Sequence, residues 1–513
     1  MITSTILTIG SLALAAMAQE FSNPVIWEDL ADNEVIRVGD DFYLTASTMH
    51  YSPGAPVLHS RDLANWEYIG HSVPTLDWGD KYNMQGSRAY VKGIWASSLA
   101  YRESDGLFYW LGCIEFGTTY IYTAPAPEGP WERSSTINNC YYDAGILFDD
   151  DDTMYVAYGN GQISVAQLSS DLSEVSTQQV YAVPGDFSGT LEGARFYKRE
   201  GQYYIFLTRP ANGQYIIKAD SPLAQYSAAH QILLDMPSPI ERGGVPHQGS
   251  LVITPNGDWY YMGFVDAYPG GRVPVLAPIT WDGEGWPSIT TVNGGWGVNY
   301  PNALPESPVR SPLGKDEFSG TSLGPAWEWN HNPDTTAFSV NDGLTLSAVT
   351  VTDDLYNARN TLTKRIHGPV GTGTLEVDIS NMASGDRAGL ALLRDQSAYV
   401  GVFRNGDGFT VNYVDGLTMD DEWVTTGTGT VRESQGISAG TIWLRLVADI
   451  APGGSHQASF HYSTDGDNFS QIGGAFTMNT NWQFFMGYRY GIFEFATESL
   501  GGSIAVKSFT SEA

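Results

Sequence analysis

The sequence predicts an all-β chain, a five-bladed β-propeller followed by a C-terminal antiparallel β-sandwich. Three observations carry this. A strand–turn–strand pattern recurs five times at a period near fifty residues, helical periodicity is not sustained anywhere, and a proline-rich break precedes a second series of short alternating strands.

The first element is an apolar run over residues 6–16, closed by Ala16-Met17-Ala18, which fits the small-x-small rule for signal peptidase. Residues 1–18 are therefore expected to be a signal peptide cleaved before Gln19, and the protein to be secreted and extracellular. The run departs from the usual pattern in lacking a basic start, since the first Lys or Arg is Arg37. It is shorter than the roughly 20 apolar residues that span a bilayer.

The repeats come next, over residues 36–47 (IRVGDDFYLTAS), 100–112 (AYRESDGLFYWLG), 146–159 (ILFDDDDTMYVAYG), 195–208 (RFYKREGQYYIFLT) and 251–264 (LVITPNGDWYYMGF). Each reads as a β-hairpin with a polar turn. With Tyr43, Tyr109, Tyr155, Tyr204 and Tyr260 as equivalents, the spacings are 66, 46, 49 and 56 residues. That period indicates propeller blades. Turn signals after the hairpins, such as Ser60-Arg61-Asp62-Leu63 before Trp66, supply the outer strands, and the propeller is placed at residues 19–305. The acidic run Asp149-Asp150-Asp151-Asp152 lies in the third hairpin turn and lacks the spaced ligands of a calcium loop, so it reads as a solvated turn.

Residues 302–314 hold three prolines and no periodicity, and the linker is placed at 306–314. Beyond it, segments such as 374–379 (TLEVDI) and 443–450 (WLRLVADI) alternate apolar and polar residues between Gly-rich turns, giving a sandwich over 315–513. Structural support and carbohydrate binding are both open for it. One glycosylation sequon, Asn468-Phe469-Ser470, follows a turn.

Composition narrows the function. With 26 basic and 57 acidic side chains the net charge is −31, which argues against nucleic acid or an anionic membrane as partner. Two cysteines, Cys113 and Cys140, are too few for a disulfide scaffold or a four-ligand zinc site, and fit either one disulfide or two buried thiols. Serine-hydrolase, phosphate-loop, dinucleotide and metalloprotease motifs are absent.

In a propeller the innermost strands line the axis, so equivalent positions at their starts converge on one mouth. Eleven to fourteen residues before the aligned tyrosines stand Asp32, Trp95, Asp143, Glu192 and His247. Three converging carboxylates with an aromatic platform suit glycosidic-bond hydrolysis, in which one acid stays protonated to donate to the leaving oxygen while another activates water or attacks carbon. A third carboxylate raises the acid's pKa by its charge. Trp95 would stack on a sugar ring, and His247 would hydrogen-bond sugar or sit as a satisfied core residue.

These residues resemble the family 43 glycoside hydrolases. The likeness lies in residues 23–43, 51–56 (YSPGAP), 60–66 (SRDLANW) and 95–97 (WAS), in Asp143 before 147–151 (LFDDD), and in Glu192-Gly193 before 196–198 (FYK). It ends with 247–250 (HQGS) and Gly271-Arg272 before Trp281. The resemblance implies a five-bladed propeller acting on arabinose- and xylose-containing plant polymers by inversion, with Asp32 as general base, Glu192 as general acid and Asp143 tuning and orienting the acid. Trp95, His247, Arg272 and His50 join them as expected substrate-binding residues. The family commonly has Asp-Pro at the base where this chain has Asp32-Asn33, and Asp29 is a rival base. The first-blade loop looks most like fungal members that remove α-1,3-linked arabinofuranose from doubly substituted xylose in arabinoxylan. A β-1,4-xylosidase is the nearest alternative, and a non-catalytic carbohydrate-binding propeller the alternative of another class. The resemblance allows a structural calcium in the propeller channel near His247, with no cofactor needed for the chemistry; a monomer is expected.

Overall fold

A computed structural model describes residues 19–513; the expected signal peptide lies outside the described residues. Each of the five repeated hairpins forms the two inner strands of a four-stranded antiparallel sheet. The innermost strands are Glu34–Val38, Ser98–Arg102, Gly145–Phe148, Glu192–Arg199 and His247–Ile253. Every aligned tyrosine lies on the second strand and faces its innermost neighbour across the ladder: Tyr43 opposite Ile36, Tyr109 opposite Ala100, Tyr155 opposite Leu147, Tyr204 opposite Tyr197 and Tyr260 opposite Val252.

Innermost strands leave backbone N–H groups that no strand on the axis side can take, and a buried donor without a partner is costly. Side chains of neighbouring blades supply the acceptors. Leu99 N donates to the Glu34 carboxylate at 2.8 Å, Ile146 N to Ser98 Oγ at 3.0 Å, Leu251 N to Tyr197 Oη at 3.0 Å and Val35 N to Ser250 Oγ at 2.8 Å. The blades also approach closely. A Cβ at Gly145 would collide with the Ala194 carbonyl, so glycine is required there by the packing of the third blade on the fourth.

The ring is closed by a latch. Glu20–Ser22 pairs antiparallel with Asn299–Pro301, and Asn23 Nδ2 donates to the carbonyls of Leu276 and Gly297 at 2.8 and 2.9 Å. Cys113, on the second strand of the second blade, is disulfide-bonded to Cys140 in the segment leading to the third. Lys198 of the fourth blade pairs with Asp149 and Asp150 in the third hairpin turn.

The C-terminal unit is a sandwich of a nine-stranded and an eight-stranded sheet. Strands such as Val370–Asp378 and Thr441–Asp449 alternate buried and half-buried residues, the period-two signature of a sheet with one face in the core. Leu375, Val377, Leu444 and Leu446 of one sheet meet Leu390, Leu392, Val400 and Ile492 of the other. The propeller contributes the edge of the eight-stranded sheet, because Tyr51–Ser52 pairs with Asn330 and Trp329. A buried ionic cluster fixes the junction: Glu328 accepts from Arg365 at 3.0 Å and Arg489 at 2.5 Å and lies 3.2 Å from His71 of the propeller. Burial alone would raise the Glu328 carboxyl, yet Arg365, Arg489 and His71 hold it well below the usual range.

Candidate active site

At the mouth of the propeller axis lies a cavity of about 720 Å³. Asp32, Trp95, Asp143, Glu192, His247 and Arg272 all line it. Asp32 and Asp143 stand two residues before the innermost strands of their blades, and Glu192 and His247 open theirs. Both aspartates adopt the left-handed conformation, with φ of 53° and 49°, a region that Asp tolerates because its short side chain bonds locally. The kink turns each chain out of the strand direction at the pocket floor.

Asp32 Oδ2 accepts from Ser47 Oγ at 2.7 Å and Oδ1 from Arg272 Nη1 at 3.2 Å. Arg272 begins the strand Arg272–Trp281, opposite Asp266 in the ladder, and its Nε reaches Asp266 at 3.2 Å. Its guanidinium lies between the rings of Phe264 and Phe485, 5.1 Å from each centroid. Glu192 Oε2 accepts from Asn160 Nδ2 at 2.5 Å and from Tyr142 Oη at 3.5 Å.

Burial pushes the Asp143 carboxyl well above the ordinary aspartate range, and the charges of Glu192 and Asp32 add to it; Arg195 and Arg272 pull the other way. Burial, then the charge of Asp32, raises Glu192, against the hydrogen bonds from Tyr142 and Asn160 and the charge of Arg272. Asp143 and Glu192 thus both resist ionisation in this low-dielectric mouth. Burial lowers His247, and because its Nδ1 must donate to the Val245 carbonyl at 2.8 Å, its Nε2 is left as an unprotonated acceptor.

Trp95 is anchored by Nε1 on the Val91 carbonyl at 2.9 Å and meets Phe116 edge-on at 4.6 Å; Phe116 stacks on Tyr142 at 5.6 Å. One expectation needs correction, and the rival base falls away. His50 does not line the cavity: it is wholly buried, receives Val91 N on Nδ1 at 3.2 Å within the propeller and donates from Nε2 to Asn330 Oδ1 of the sandwich at 3.0 Å, so both nitrogens are spent. Asp29 is no rival to Asp32 either, since its carboxylate accepts from the backbone of Arg272 at 2.8 Å and of Gly487 at 3.0 Å inside the domain junction.

Sequence reading missed the rest of the rim. Phe116 and Tyr142 sit on irregular connections outside the hairpin repeat, and Asp266 at a strand end. Thr480, Trp482 and Phe485 come from the sandwich, more than two hundred residues from Arg272, and no periodicity could have placed them. Calcium does not fit the axis. The cation prefers six to eight oxygen ligands, whereas the carbonyls of Asp32, Ser97 and Ala144 there already accept from the Arg195 guanidinium, and no group of three or more His, Cys, Asp or Glu side chains among the described residues gathers to hold a metal.

Known proteins resemble this chain along both domains. The model of glycosyl hydrolases family 43 matches residues 21–287, and that of the β-xylosidase C-terminal concanavalin A-like domain matches 315–512. A β-xylosidase of Formosa agariphila is 27% identical over 96% of this chain and 90% of its own. A putative β-xylosidase of Xylanibacter ruminicola is 30% identical over 88% of this chain and 82% of its own. A non-reducing-end α-L-arabinofuranosidase of Bacteroides ovatus is 31% identical over 63% of each. These three relatives are bacterial, and the narrower likeness to fungal members is not borne out by them. Among solved structures, a GH43 glycoside hydrolase engineered to display both endo-xylanase and exo-arabinofuranosidase activity superposes with a TM-score of 0.93 at 44% identity, over 96% of this chain and all of that one. With more than half of its length matched by the family model and both domains accounted for, the chain belongs to glycosyl hydrolases family 43.

Proposed function

We propose that the protein is an inverting glycoside hydrolase that releases terminal α-1,3-linked L-arabinofuranose from doubly substituted xylose in arabinoxylan. The observation that carries the catalytic part is the convergence of Asp32, Asp143 and Glu192 on one aromatic-walled pocket, with Glu192 raised by burial and by Asp32. In this reading Glu192 donates its proton to the glycosidic oxygen. Asp32, oriented by Ser47 and Arg272, takes a proton from the attacking water. Asp143, whose own carboxyl is raised by burial and by the charges of Glu192 and Asp32, tunes and orients the acid. Inversion needs the acid and base carboxyls roughly 6.5 to 9.5 Å apart, leaving room for that water. Trp95 offers a stacking face, His247 Nε2 and Arg272 polar contacts to hydroxyls.

The arabinose assignment draws support from the Bacteroides ovatus relative and the engineered GH43 structure. The Formosa agariphila and Xylanibacter ruminicola relatives favour a second reading, β-1,4-xylosidase action on xylo-oligosaccharides. NMR of the sugar released from mono- and di-substituted arabinoxylan separates them. Loss of arabinose signals only from doubly substituted xylose, with β-configured product first, is expected; free xylose from unsubstituted oligomers would establish the second reading instead. Glu192→Ala and Asp32→Ala are each expected to cut turnover by about 10³-fold or more with the fold intact. Binding without any sugar release by the wild type would leave only a carbohydrate-binding propeller.

A further inference from the structure

Arg195 occupies the point where the blades meet beneath the carboxylates. It is among the largest fully buried side chains of the protein. Nη1 donates to the carbonyls of Ser97 at 2.7 Å and Ala144 at 3.0 Å and lies 3.3 Å from the buried Glu34 carboxylate; Nη2 donates to the carbonyl of Asp32 at 2.8 Å. One guanidinium thus ties together the segments that lead into the innermost strands of the first three blades. It rises from the fourth, three residues after Glu192 on the same strand.

Two of its acceptors bear on the chemistry. The carbonyl of Asp32 belongs to a left-handed residue, and that of Ala144 directly follows another, Asp143. Left-handed backbone at a residue other than glycine is sparsely populated and is held where its surroundings fix it. Arg195 is one such determinant at both positions. Its planar fork, unlike an ammonium, can serve several acceptors spread around it.

We propose that Arg195 is a positioning residue for the catalytic centre: from the propeller axis it fixes the backbone that carries Asp32 and Asp143, and it supplies as a side chain the positive centre that a bound divalent cation would otherwise provide there. The proposal rests on the reading of Asp32, Asp143 and Glu192 as the catalytic carboxylates. Because Arg195 is buried under the pocket floor and does not line the cavity, its loss should act on turnover rather than on substrate affinity.

The test measures kcat and KM separately for Arg195→Lys and Arg195→Gln, with circular dichroism to establish folding, alongside wild-type protein melted before and after EDTA treatment and after calcium repletion. The folded variants are expected to lose about 10²-fold in kcat, the size of effect that small misplacement of catalytic groups produces, with KM changed no more than a few-fold. The wild-type melting temperature and turnover are expected to be unmoved by EDTA or calcium. A folded variant with wild-type kcat overturns the proposal. So does failure of both variants to fold, which makes Arg195 a structural residue, and so does a melting temperature that falls on chelation and returns with calcium. Full activity in Glu192→Ala would instead sink the catalytic reading itself; wild-type kcat in Arg195→Lys beside an inactive Glu192→Ala sinks this proposal alone.

Discussion

Asn160 shows how single contacts set the behaviour of Glu192, the proposed acid. Its Nδ2 donates to Glu192 Oε2 at 2.5 Å, and a donor to a carboxylate stabilises the charged form and lowers its pKa. Burial and the charge of Asp32 act the other way. Removing the donor in Asn160→Ala therefore raises the Glu192 pKa further, and the protonated acid survives to higher pH. The alkaline limb of the kcat/KM profile is expected to move up by roughly half to one pH unit, a size within the scatter that environments impose on glutamates, and a limb moving down would contradict the assignment. His50 makes the opposite point. It was expected among the substrate-binding residues, but both of its ring nitrogens are already engaged, one by Val91 and one by Asn330.

Among elements, the strand Trp327–Asn330 holds the junction, and Glu328 is its buried charge. Glu328→Gln would leave Arg365 and Arg489 without the carboxylate charge that both pair with. Removing one partner from such a buried cluster typically costs about 3–5 kcal/mol, to be read as a lowered denaturation midpoint. The sign of the pH dependence follows from the depressed carboxyl. Its stabilisation is present above the unfolded glutamate value of about 4.3 and is lost as pH falls through the lower folded value. Acid unfolding of the wild type should accordingly be steeper below about pH 4 than that of Glu328→Gln.

At the scale of the whole molecule, the sandwich lends Thr480, Trp482 and Phe485 to the lining of the candidate site. Trp482–Phe484 forms a single 3₁₀ turn, and Phe485 follows in the left-handed conformation, which brings its ring over Arg272 of the fifth blade. Phe485→Ala is expected to reduce kcat/KM by about ten-fold, the scale of a partly desolvated cation–π contact, with the propeller's melting behaviour unchanged. An effect confined to stability would show that the ring only seals the junction. The same coupling explains the edge strand Tyr51–Ser52, where the propeller lends its backbone to the sandwich sheet.

The sequence alone determined what repeats. Hairpin turns and alternating apolar residues are local, so five copies near a fifty-residue period were enough to count the blades and to align Asp32, Trp95, Asp143, Glu192 and His247 on one mouth. The alternation of residues 374–379 and 443–450 likewise announced strands of a sandwich. Tertiary structure decided everything that depends on distance through space rather than along the chain. It gave Arg195 the axis, paired Cys113 with Cys140, and drew Trp482 and Phe485 across from the second domain. It also buried His50 and Asp29, two residues as polar in sequence as the catalytic candidates, in the junction. Periodicity specifies which face of a strand turns inward, whereas the partner that meets that face is fixed only when separate elements pack and each buried polar group must find its acceptor.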